Sequence, residues 1–405
     1  MQFSLHRWIR LSLFNLMLVA ALGVVLRYKI AFYLPFIDQK NLHHGHSHFA
    51  FAGWITQAIF VLLVGYLAAR TSPAILKKYQ WMLLANLITA YGMLIAFAIE
   101  GYGSIAIIFS TLSVFVAYAF SIKFWFDLNK LPTKEVSHLW LKAALLFNAI
   151  STLGVFGLAA MMVTKNVYQK WYLAAEYFYL HFQYNGWFFF ACVGLFTGKL
   201  TLTVFPQVVL KKIFWLFTAS LIPAYFLSVL WINFSLVIYL IIVVAAFVQL
   251  LSWVWLVRLL KTQVAFLKQT FSLTARWLFG LSAIALSIKL LLQLFSVIPT
   301  LSNISYGFRP IIIGYLHLVL LCVISLFILG FMVAEKFITL KKTTLTGLIV
   351  FTSGIIINEI LLMVQGVTAM SYNTIPFINE ALFITALIIF SGLVMVTINQ
   401  QIKKQ

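Results

Sequence analysis

One short pattern of residues able to do chemistry occurs three times in this chain. It reads His48-Phe-Ala-Phe-Ala-Gly53-Trp54, then His181-Phe-Gln-Tyr-Asn-Gly186-Trp187, and in a degenerate third copy His317-Leu-Val-Leu-Leu-Cys322. The histidines stand 133 and 136 residues apart (181 − 48 and 317 − 181). Neutral imidazole is the commonest side-chain ligand for haem iron, copper and zinc. Histidine is costly inside hydrocarbon, so three at matching places in a repeat suggest ligands. Further imidazoles surround the first copy, where His43, His44, His46 and His48 form the run His-His-Gly-His-Ser-His. His44 and His48 are four residues apart and share a face if the helix starts early. For His43 and His44 a solvated tract that picks up metal is the plainer alternative. The Gly-Trp pair five residues on either admits a flat ligand or a neighbouring helix, or only packs.

Three other ionisable residues sit where charge is expensive. Lys289 is 13 residues beyond Arg276, and Glu359 is about 16 residues into its own apolar stretch. At 1.5 Å per residue both rise roughly 20–24 Å above the inner surface, into the layer of the marked histidines. They could pair with each other as a structural salt bridge, or Lys289 could face an anionic group of a ligand. Arg309, just before the third marked helix, could hold a carboxylate by a bidentate pair or act as an interfacial anchor. No Gly-rich phosphate loop, nucleophile elbow or thiolate metal motif is present.

The elements that must position these groups follow from composition. The chain has 405 residues, 63% hydrophobic and only 9% charged, the profile of a polytopic membrane protein. About twelve stretches could cross a bilayer roughly 30 Å thick. They lie near 8–30, 43–69, 79–100, 104–126, 138–163, 171–197, 211–231, 234–258, 276–298, 310–333, 343–366 and 378–400. The expected fold is all-α, a single transmembrane domain of about 12 helices in three pseudo-repeats of four, near 1–130, 131–262 and 263–405. Each marked histidine then opens the second helix of its set. Two cysteines, Cys192 and Cys322, fall inside predicted helices and support no disulfide framework.

The net charge is +20, which in a soluble protein would suggest nucleic acid. Here its distribution argues otherwise. Of 28 lysines and arginines, 21 fall in the N-terminal segment, the even-numbered loops and the C-terminal end (Lys403 and Lys404 included), six fall on the other side, and Lys289 is inside a span. That bias is the positive-inside signature of a bacterial-type inner membrane protein with both termini cytoplasmic. The basic excess reports orientation and contact with membrane lipids, with no nucleic-acid partner.

The layout resembles subunit I of the haem–copper oxidase and nitric-oxide reductase superfamily. The resemblance rests on twelve helices in three arcs, with His48, His181 and His317 on helices two, six and ten. It implies that His48 (or His46) and His317 are axial ligands of a low-spin haem, that His181 binds copper, and that a redox partner protein exists. Departures are large: helix seven lacks the family's histidine pair, and helix ten has one histidine where the family has two. A complete oxygen-reducing centre is therefore not expected, and the buried acids that would deliver protons are scarce. The expectation is a haem protein for electron transfer or for handling a diatomic gas or metal. The rival is a transporter or channel using a ring of intramembrane histidines, among them His44 and His181. Orientation is open to direct test. A cysteine introduced beside Lys341 should resist an impermeant thiol reagent applied outside intact cells, and ready labelling would reverse the assigned topology.

Overall fold

The computed structural model describes residues 4–200, 204–232, 234–301 and 308–400; Lys403 and Lys404 lie outside them. Every regular element among the described residues is helical. In chain order the long helices are α1 (Leu5–Ala31), α2 (Gln39–Arg70), α3 (Ile75–Glu100), α4 (Ser104–Asn129), α5 (Val136–Val163) and α6 (169–197). They continue as α7 (Gln207–Val229), α8 (Leu236–Thr262), α9 (Leu273–Phe295), α10 (Arg309–Ala334), α11 (Lys342–Met370) and α12 (Ile378–Ile398). Helices are the form such a sequence must take, because in hydrocarbon each backbone group needs a partner within its own segment. Eleven of them are long and apolar enough to cross a membrane. The exception is α6, which is unbroken but too polar along its first half, where Lys170, Glu176, His181, Gln183 and Asn185 fall.

Helix ends are set by local chemistry. The Asp38 carboxylate accepts from the Asn41 backbone N–H at 2.8 Å and caps the start of α2. Gly101 ends α3 at φ +63°, and a Cβ there would lie 2.6 Å from the Asn41 Oδ1. Only glycine suits that turn.

The chain forms two compact units. The first comprises residues 4–129 and 332–400; the second runs from Lys130 to Phe331. In the first unit α2 lies between α1 and α3, α4 packs on α3, and α1 packs on α12 beside α11. Most of α2 is buried. At the far end of this unit Tyr79 of α3 donates to Asp127 of α4 at 2.9 Å, and Lys123 pairs with the same carboxylate at 3.0 Å. In the second unit α5 packs on α6 and α7, α8 packs on α7 and α9, and α9 packs on α10.

Small residues let the backbones approach, as expected where lipid gives no hydrophobic drive between helices. The α11–α12 crossing is built on Gly347, Gly354 and Gly392. A Cβ on Gly392 would meet the Phe351 backbone nitrogen at 2.5 Å, and one on Gly347 would meet the Gly392 carbonyl oxygen at 2.8 Å. Gly280 on α9 has nothing within 4 Å of such an atom. Gly392→Leu should therefore destabilise the protein in detergent by about 1–3 kcal/mol, the usual cost of overpacking. Gly280→Ala should be neutral or slightly stabilising. Equal melting temperatures for the two variants would refute the close crossing.

Candidate functional site

Each marked histidine stands at the entrance of a π-helical segment. Ala50–Thr56 follows His48 by one residue, Phe182–Phe188 follows His181 directly, and Leu318–Ser325 follows His317 directly. A π-helical turn carries an extra residue, and its hydrogen bonds run from i to i+5. Carbonyls at its borders with α-helix lose regular partners and must find donors elsewhere.

Side chains of neighbouring helices supply those donors. In the first unit the Asn15 side chain of α1 donates to the Gly53 carbonyl, and Asn86 of α3 donates to the Ala52 carbonyl at 3.1 Å. Asn86 also donates to the Gln57 side-chain oxygen at 2.8 Å, and Tyr91 donates to the Asn15 Oδ1 at 2.8 Å. In the second unit Ser282 of α9 donates to the Val323 carbonyl at 2.7 Å. In α6 the segment's own Gln183 reaches α5, donating to Asn148 Oδ1 and Ser151 Oγ, each at 2.9 Å. The glycines of the motif serve packing: a Cβ on Gly186 would lie 2.6 Å from Phe147 Cβ, and Trp54 and Trp187 are buried.

The imidazoles have different surroundings. His181 is buried with both ring nitrogens engaged: Nε2 donates to the Leu221 carbonyl at 2.9 Å, and Nδ1 accepts from Asn185 Nδ2 at 3.2 Å. The carbonyl of Leu221 needs that donor because the end of α7, Tyr225–Val229, is a 3-10 turn in which the Tyr225 N–H bonds to later carbonyls. His317 is half-buried, and its Nδ1 donates to the Ile313 carbonyl one turn earlier at 2.8 Å. That bond puts the ring's lone pair on Nε2.

Around His48 the first unit is aromatic. The ring stacks on Phe97 with centroids 4.2 Å apart, and its Nε2 is 3.4 Å from the Tyr102 hydroxyl. His44 meets the same Tyr102 edge-to-face, and its buried Nε2 has no hydrogen-bond partner. His46 lies on another face of α2, where a Cβ on Gly23 of α1 would meet its Cε1 at 3.7 Å. Among the described residues no three His, Cys, Asp or Glu side chains gather as a metal ion would need. The copper site implied for His181 thus has no converging protein ligands there.

Lys289 is 4% exposed and donates to Gln293 Oε1 at 2.6 Å, and Gln293 in turn donates to Gln249 Oε1 at 2.7 Å. It lines a cavity of about 20 Å³ with Asn185 and Gln249, room for about one water. Glu359 belongs to the other unit and accepts from Asn358 at 3.1 Å. Arg309 is exposed at the first residue of α10.

No protein-family model and no curated protein matches this chain.

Sequence reasoning missed Asn15, Tyr91, Asn148, Ser151 and Ser282. The only signal was a polar residue on an apolar helix, which does not say which carbonyl it serves. For His181 the geometry yields a test. Removing its ring as His181→Phe strands the Leu221 carbonyl and the Asn185 amide, at about 1–3 kcal/mol for each buried group left unpaired. A matching fall in melting temperature with unchanged metal content is expected. Loss of bound metal at an unchanged melting temperature would make His181 a ligand instead.

Proposed function

We propose that this is a membrane haem protein, related in layout to subunit I of the haem–copper oxidases and having twelve spans in three pseudo-repeats, in which His317 is an axial ligand. The observation that carries the reading is the His317 ring. Ligating histidines nearly always donate their second N–H to a carbonyl, a carboxylate or water, which fixes the tautomer and aims the other nitrogen at the metal. The bond from Nδ1 to the Ile313 carbonyl is of that kind. The donor chemistry of a neutral imidazole fits haem iron.

The π-helical segments add support for the repeat and for function. Such segments make up well under 1% of residues and favour functional sites, yet one follows each marked histidine. With His181 committed to Leu221 and Asn185, the ligand role falls to the other imidazoles. A haem held by an axial histidine supplies one-electron transfer. We accordingly assign electron transfer, or handling of a diatomic gas without turnover, in a bacterial-type inner membrane with both termini cytoplasmic.

The purified protein, oxidised and then reduced with dithionite, should give the sharp visible bands of a low-spin haem. His317→Ala should abolish them. A haem-free protein after expression in a haem-replete host, or unchanged bands in His317→Ala, would refute the assignment.

A further inference from the structure

A groove of about 380 Å³ runs between α8 and α9. Its walls are Leu250, Val254 and Val257 on one side and Leu291 on the other, with Trp253 held by a 2.8 Å bond from its Nε1 to Ser287 Oγ. Arg258 and Lys261 line the groove at the C-terminal end of α8. They are three residues apart and share a helix face. From Leu250 to Lys261 the helix rises roughly 16 Å, at 1.5 Å per residue, about half of the hydrocarbon layer. The apolar part of the wall, Leu250 to Val257, rises roughly 10 Å of that, and the two cations stand beyond it towards the end of α8.

The groove has the profile of one particular molecule. No Asp or Glu lines it, so nothing there neutralises the two cations. Leu251, Val254 and Leu291 are exposed, so this face of the α8–α9 pair meets lipid. Basic residues at helix ends usually act as general anchors to the headgroup layer. Here they close one end of a preformed furrow whose remainder is apolar. We propose that the α8–α9 groove is a binding site for one anionic glycerophospholipid, an acyl chain lying along Leu250, Val254 and Leu291 and the phosphate held by Arg258 and Lys261. A guanidinium suits the phosphate oxygens in bidentate fashion, and the ammonium adds a point charge.

Native mass spectrometry of the full chain, released from detergent after exchange with phosphatidylglycerol or phosphatidylcholine of the same acyl chains, tests this. One phosphatidylglycerol should be retained in preference to phosphatidylcholine. The double variant Arg258→Gln/Lys261→Gln should weaken retention about thirtyfold, from roughly five- to sixfold for each cation near a charged headgroup. Val254→Trp, which fills the furrow and keeps both charges, should weaken it as well. Lys211→Gln/Lys212→Gln removes two charges at the start of α7 and should leave retention unchanged. Equal retention of the two lipids, equal loss in both double variants, or full retention in Val254→Trp would overturn the proposal.

Discussion

Inside a hydrocarbon layer a backbone carbonyl that loses its helical partner has no water to turn to. Three helices here accept that cost by switching to π-helical geometry beside a histidine. Much of the interior's polar chemistry answers it. Asn15, Asn86 and Ser282 each come from a neighbouring helix to bond a carbonyl within a π segment. The same need explains His181, whose Nε2 meets the Leu221 carbonyl where α7 tightens to a 3-10 turn. These bonds tie helix to helix at fixed heights, which greasy contact alone cannot do. In the first unit α2 is fixed from both sides in this way, by α1 through Asn15 and by α3 through Asn86.

The imidazoles sort by the same logic. A ring whose two nitrogens both bond protein atoms is part of the scaffold, and His181 is of this type. A ring that spends its N–H on its own helix presents the other nitrogen in a defined direction, and His317 is of this type. His48, stacked on Phe97 and beside Tyr102, has its plane set by aromatic packing. Equal spacing along the chain thus does not make equal roles.

Much of the architecture was legible from apolar run length, because a helix in lipid needs little beyond about twenty apolar residues. The boundaries of α3 and α4, for example, fall within a few residues of the expected stretches 79–100 and 104–126. Span six was legible as a helix, though its polar first half keeps it out of the apolar set. His48, His181 and His317 stand out in the sequence by their spacing, and a π-helical segment follows each. Their surroundings were not legible, because a π segment depends on donors such as Asn15, 38 residues before Gly53. Nor does spacing reveal that Lys289 finds Gln293 one turn along its own helix.

The two units are threaded differently, and this bears on how the protein is made. The second unit is one unbroken stretch of chain, so its helices can pack together as soon as α10 has entered the membrane. The first unit is split: α1 packs on α12, its partner in sequence terms more than three hundred residues away. Closing so long a loop costs only slightly more entropy than closing a short one, but it cannot happen until α12 has been made. During that interval the face of α1 that will meet α12 is open to lipid or to an insertion chaperone. The packing of α1 is completed only by a helix made after the whole second unit.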